Sequence, residues 1–194
     1  DKYMKEVNRI HSRKAGKRVC SCFDWVEEIA VAVTIVVLVF TFLFRVVTVN
    51  GISMLPNFTG GDRLLVTNIH GDLQQGDVVV AVNVLEEPII KRVIATENQT
   101  VDIDFDTGTV YVDGQPLDET QFGLENGITV KVNTSEEMIS FPQTVPPGCV
   151  FVLGDNRLVS EDSRYMAVGM ISTDNILGKV FFRIYPFDQM GVIG

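Results

Sequence analysis

A chain of 194 residues holds one domain, or a domain with an appendage. With 46% apolar and 21% charged residues it is not intrinsically disordered, and a net charge of −9 argues against nucleic-acid binding as its main task. Three cysteines cannot build a disulfide scaffold. Two histidines, His11 and His70, supply neither Cys/His pairs nor a His-Glu-x-x-His run for a metal.

The charge is unevenly spread. Lys2, Lys5, Arg9, Arg13, Lys14, Lys17 and Arg18 crowd the first 18 residues, whereas residues 45–194 carry a net charge of −11. Between these regimes lies Ile29–Phe44, sixteen residues whose only polar members are Thr34 and Thr41. Sixteen helical residues cover about 24 Å, slightly short of a ~30 Å hydrocarbon core. Extending the helix over residues 25–48 closes the gap, with Trp25 in the headgroup belt and Arg45 snorkelling at the far interface. A cleaved signal peptide would carry an unusually long lead, and the nearest small-x-small site, Gly51-Ile52-Ser53, lies well past the apolar stretch. A buried element of a soluble protein is the bland alternative; a retained anchor fits better. The excess of Lys and Arg before the span predicts a cytoplasmic tail over residues 1–24 and an extracytoplasmic domain over residues 49–194. Cys20 and Cys22 then lie across the membrane from Cys149, which reads as a buried apolar filler. The chain opens on Asp1, so a short preceding piece is expected.

The outer domain reads as β throughout. Arg63–Thr67, Asp77–Val82, Ile89–Ile94, Thr109–Val112, Ile128–Val132, Cys149–Leu153 and Lys179–Tyr185 are short runs rich in Val, Ile, Phe and Tyr, punctuated by Gly, Pro, Asp and Asn. The predicted fold is mostly β: one transmembrane helix followed by an antiparallel folded-sheet or barrel-like domain, with residues 97–147 as a possible sub-domain. Asp102, Asp104 and Asp106 imitate the opening of a calcium hand. Thr107 and Asp113 stand where that loop needs Gly and Glu, so a polar edge strand turning at Asp106–Gly108 is the better reading.

Few residues are equipped for chemistry. A Ser-His-Asp triad would have to use His70, which reads as an exposed loop residue in Asn68–Asp72. A serine can instead be activated by a neutral, desolvated lysine, and only Lys91, Lys131 and Lys179 lie in the outer domain. On a strand Lys91 shares a face with Ile89 and Val93, and burial there lowers an amine's pKa; a snorkelling edge lysine is the competing reading. Ser53 lies between Gly51 and Pro56 in a bent stretch shortly after the span, where a plain turn serine is the alternative. The dense polar run Gly154-Asp155-Asn156-Arg157, Ser160, Asp162-Ser163-Arg164 follows an apolar strand directly and points to a hydrogen-bonded network that holds something in place.

Taken in order, the anchor, Ser53-Met54-x-Pro56, Gly61-Asp62-Arg63-Leu-Leu-Val66, Lys91-Arg92-Val-Ile94 and Gly154-Asp-Asn-Arg-x-x-Ser160-x-Asp162-Ser163-Arg164 resemble the bacterial type I signal peptidases. These are membrane-anchored serine proteases with a Ser–Lys dyad. The resemblance spans nearly the whole chain and ends on Gly178–Ile184, similar to the family's closing strand. It implies Ser53 as nucleophile, Lys91 as general base and Ser160 as the residue that hydrogen-bonds and orients the lysine amine. It further implies ion pairs of Asp162 with Arg164 and Arg92, structural roles for Asp155 and Asn156, and shallow pockets for small side chains lined by Met54 and Ile90. The implied partners are signal-peptide-bearing preproteins, cut after small-x-small, and the lipid bilayer. No nucleic acid, metal or cofactor is implied, and the enzyme is expected to be a monomer.

The chain departs from the family pattern in three places. Gly51 stands where some members carry an oxyanion-stabilising serine, so the oxyanion is expected to rest on backbone N–H groups that include that of Ser53. Ala95–Gln99 replaces a Gly-x-Pro-Gly-Asp turn, and Asn57 replaces the commoner Thr. Two other functions fit parts of the sequence: a self-cleaving Ser–Lys protease, given the similar separation of 38 residues between serine and lysine, and a catalytically silent, membrane-tethered binding module.

Overall fold

The computed structural model describes residues 25–193 except 39, 42, 68–71, 133 and 134. The expected tail over residues 1–24, with His11, Cys20 and Cys22, and the loop residue His70 lie outside the described residues.

The chain divides into two units, Asp1–Leu43 and Phe44–Gly194. In the first, residues 25–38 form a helix, and residues 40, 41 and 43 are helical too. Its apolar side chains are exposed, Trp25 by 66% and Ile35 by 55%. Thr34 and Thr41 donate their hydroxyls to the carbonyls of Ala30 and Val37, each at 2.7 Å, so neither leaves an open polar group on that apolar surface. Among the described residues no helix is long and apolar enough to cross a membrane. The span expected over residues 25–48 is corrected at its end, because the strand β1 (Phe44–Thr48) takes its last five residues. β-Branched Val46, Val47 and Thr48 suit a strand, and all five residues of β1 pair with β2 (Arg63–Thr67).

The second unit is built on an antiparallel sheet. Beyond β1 and β2 the chain forms β3 (Val78–Ala81), β4 (Ile89–Ala95), β5 (Thr100–Asp104), β6 (Thr109–Val112), β7 (Gln115–Pro116) and β8 (Gln143–Thr144). These are followed by β9 (Cys149–Leu153), β10 (Ile171–Ser172), β11 (Ile176–Tyr185) and β12 (Gly191–Val192). The larger sheet runs β1-β2-β11-β3-β4-β9-β10, with β12 beside β11; the smaller runs β7-β6-β5-β8. Register shifts at Val180/Phe182 and Arg183/Tyr185 of β11, and at Val93/Ala95 of β4, add twist to an open sheet.

Around β3 and β4 both faces of the larger sheet are covered. Val78 and Val80 pack on one side with Met54, Phe58, Leu64, Val66 and Ile90, while Val79 and Ala81 pack on the other with Val93, Val150 and Val152. The period of two is therefore intact, yet β3 reads as an unbroken apolar run, and β4 is buried along nearly its whole length although Lys91 and Arg92 interrupt its apolar residues, because neither face meets water there. A third cluster joins the sheets: Ile94, Phe151 and Leu153 of the larger meet Val101, Ile103, Val110 and Val112 of the smaller.

Ile128–Val132 is not a strand. Thr129 sits buried in it, donating its N–H to the Gly108 carbonyl at 3.0 Å and receiving Arg157 at its hydroxyl, so a buried polar anchor replaces the ladder. In the turn after β5, Asp104 accepts from the N–H of Asp106 at 2.9 Å and the hydroxyl of Thr107 at 2.8 Å. Those bonds hold its carboxylate well below the usual range.

Candidate active site

The turn between β1 and β2 presents Ser53. Val49 donates to the Asp62 carbonyl at 2.8 Å and Gly61 back to the Val49 carbonyl at 2.9 Å, which closes the turn's base. Gly51 sits at φ +84°, a left-handed conformation that disfavours any side chain. Asn156 then grips the turn from outside, its N–H bonding the Ser53 carbonyl at 3.0 Å and its side-chain amide the Ile52 carbonyl at 3.2 Å.

Lys91 lies on β4, opposite Val79 of β3, and is only 3% exposed. Its Nζ is 3.0 Å from the Oγ of Ser53. Burial pushes the amine's pKa below its ordinary 10.5; Asp162, Glu161 and Asp155 pull it back up, and Arg164 lowers it slightly. Among the described residues no carboxylate reaches ion-pair distance of Lys91. Lys179 pairs with Asp77 and Lys131 is exposed, so neither resembles a desolvated base.

The polar loop after β9 is a buried scaffold. Asp162 accepts from Arg164 Nε at 2.8 Å and Nη2 at 3.0 Å, and from the Gly154 N–H at 3.0 Å. The expected pair of Asp162 with Arg92 does not form. Arg92 instead grips Asp155 with Nε at 2.8 Å and Nη2 at 2.7 Å. The neighbour of Lys91 in sequence is thereby tied to the neighbour of Asn156. The geometry explains the exchange, since both oxygens of Asp162 are already bonded by Arg164 and Gly154. The hydroxyl of Ser160 is buried and has no hydrogen-bond partner among the described residues, so the bond expected to Lys91 is not made in this structure. Gly154 is required beside it: a Cβ there would stand 2.1 Å from Ser160 Oγ and 2.6 Å from the Ser53 carbonyl oxygen.

Met54 and Ile90, both buried, line one cleft of about 260 Å³ together with Ser53, Lys91, Val80 and Pro88. The walls are largely apolar.

Two supporting groups escaped the sequence reading. Asn57 donates its side-chain amide to Asp155 Oδ2 and to the Phe122 carbonyl, both at 2.8 Å. This links the Arg92–Asp155 pair to the Glu119–Phe122 turn. Arg157 is buried against Glu119 and Thr129, and burial pushes the Glu119 carboxyl up although Arg157 opposes it. The arginine's place in the polar loop was legible; no local pattern marked Glu119, 38 residues away, as its partner.

The family described as signal peptidase, peptidase S26, matches residues 22–185. The chain is 34% identical to "Signal peptidase I T" of Bacillus subtilis (strain 168) over 190 residues, 95% of this chain and 96% of that protein. It is 35% identical to "Signal peptidase IB" of Staphylococcus aureus over 177 residues, 86% of this chain and 91% of that protein. A crystal structure of a signal peptidase I from Enterococcus faecalis V583 is similar at 26% identity, covering 56% of this chain and 97% of that one with a TM-score of 0.40.

Proposed function

The chain belongs to the peptidase S26 family of signal peptidases and is a serine endopeptidase, and from that premise we propose that it removes signal peptides by means of Ser53 and Lys91. The observation that carries this reading is the 3.0 Å separation between Ser53 Oγ and the desolvated Lys91 Nζ. A neutral amine at that distance accepts the hydroxyl proton while Oγ attacks the carbonyl carbon after which the chain is cut. The negative charge that develops on the carbonyl oxygen is met by backbone N–H groups, including that of Ser53, because Gly51 offers no side-chain donor. Lys91 next returns the proton to the leaving amine. It then takes a proton from the water that releases the acyl group, and Ser53 is restored.

Ser160 orients the amine in this scheme. Its hydroxyl is buried and not engaged elsewhere among the described residues, and it packs against Gly154 beside the Ser53 carbonyl. Met54 and Ile90 line the cleft that takes the small residues before the cut. Asp155, Asn156, Asp162, Arg164 and Arg92 support the dyad from behind.

The substrate in this reading is a preprotein whose signal segment is itself held in lipid. The helix starting at residue 25, largely apolar after Glu28 and exposed, serves as the anchor, with the basic tail in the cytoplasm and residues 49–194 on the far side. The enzyme acts as a monomer without metal or cofactor. The test is cleavage of a purified preprotein by the full chain in detergent. The parent should release the signal peptide after small-x-small, and Ser53→Ala and Lys91→Ala should each lower kcat by about 10⁴-fold or more while the fold stays intact by circular dichroism. Normal processing by either variant would overturn the dyad.

A further inference from the structure

A second cleft, of about 660 Å³, borders the nucleophile turn. Leu55, Pro56, Ile128, Val130 and Leu158 line it, with Glu125 at one edge. It is continuous with the dyad through the chain itself. Ser53 and Met54 line the small cleft, and Leu55 and Pro56, the next two residues, line the large one. Asn156, whose N–H holds the Ser53 carbonyl at 3.0 Å, also lines the large cleft. Leu158 is 57% exposed and Val130 37%, so the apolar wall is open to a visitor.

A peptide laid across Ser53 has two ends. The small cleft of about 260 Å³ takes the end before the scissile bond, and the other end must leave past the same turn. We propose that the larger cleft is a subsite for the preprotein's mature segment, taking an apolar side chain from the first few residues after the cut. The inference rests on the function proposed above and extends it from the signal side of the bond to the released side. Walls made of Leu, Ile, Val and Pro favour an aliphatic or aromatic side chain over a polar one. Asp155 and Arg157 also line the cleft but are paired with Arg92 and Glu119, so the carboxylate of Glu125 disfavours an acidic residue at the same place.

The test compares preproteins with one signal peptide and cut site, differing only in the first three residues of the mature segment. One series places Leu at each of these positions in turn, another Ser, a third Asp. The full-length enzyme should cleave one Leu substrate with kcat/KM about five- to tenfold above its Ser counterpart, and the matching Asp substrate more slowly still. In Leu158→Ser combined with Val130→Ser, the Leu preference should vanish while kcat/KM for the Ser substrates stays unchanged. Equal cleavage of Leu and Ser substrates by the parent enzyme, or a preference that survives in the double variant, would overturn the subsite and leave the peptidase reading intact. Lost binding to lipid vesicles in the double variant, with substrate preference unchanged, would assign the cleft to lipid and likewise overturn it. No cleavage of any substrate would overturn the peptidase reading and the subsite together.

Discussion

Arg92 holds Asp155 through two nitrogens, at 2.8 and 2.7 Å, and both side chains are almost wholly buried. The pair welds β4, which carries Lys91, to the loop whose Asn156 holds the Ser53 carbonyl. It braces the strand that carries Lys91 against the loop that holds Ser53, without a hydrogen bond to either side chain.

Removing one partner leaves a buried charge unpaired. Asp155→Ala is expected to destabilise the fold by about 3–5 kcal/mol. At roughly 2–4 °C per kcal/mol that is a fall in Tm of at least about 6 °C. Differential scanning calorimetry of the full chain in detergent measures it. Arg92→Lys keeps the charge but loses the fork, so it should retain more stability than Asp155→Ala while still lowering kcat.

Gly154 offers a steric test. An added methyl would stand 2.1 Å from Ser160 Oγ and 2.6 Å from the Ser53 carbonyl oxygen, while one at Gly191 meets nothing within 4 Å. Gly154→Ala should reduce kcat by about 10²-fold, since a displacement of about 1 Å is enough for that, and Gly191→Ala should leave kcat unchanged. Kinetics of the two variants side by side give the answer.

Six of the seven β-rich runs form strands, because their signals are local. Arg63–Thr67, Thr109–Val112 and Cys149–Leu153 form with the limits that their β-branched runs set. Ile128–Val132 carries a similar pattern and forms no ladder, because Thr129 is claimed by Arg157, a contact no window of sequence contains. Likewise Phe44–Thr48 is equally apolar as helix or strand, and only β2, about 20 residues on, decides it. The pairing of Arg92 with Asp155 and not Asp162 turns on which acceptor oxygens remain unclaimed after folding. Lys91 was legible only through its neighbours: the strand pattern placed it on an apolar face, and the structure leaves it 3% exposed.

Ser160 separates positioning from stability. Its buried hydroxyl has no partner among the described residues, so Ser160→Ala should leave Tm unchanged or raise it by removing an unmet polar group. If the hydroxyl orients Lys91 during turnover, kcat should nonetheless fall by at least about tenfold, with an altered pH profile. An unchanged kcat and profile would remove Ser160 from the mechanism.

Lys91 also couples stability to pH. Its folded-state pKa lies below the ordinary 10.5, so the unfolded chain binds the proton more tightly than the folded one. The penalty is full below the folded pKa, fades as pH rises between the two values, and is gone above about 10.5. Lys91→Met should therefore melt at a higher temperature than the parent near neutral pH, with the gap closing toward pH 10. Thermal melts across that range check the sign.

The central claim concerns the charge on one amine, and the most direct measurement is a titration of Lys91 itself. With the lysine side chains labelled with ¹³C at Cε and Lys91→Arg used for assignment, the Lys91 resonance should titrate below 10.5, and kcat/KM should rise with pH through the same midpoint. A Lys91 signal that titrates at or above 10.5, with activity rising through a different midpoint, would contradict the account.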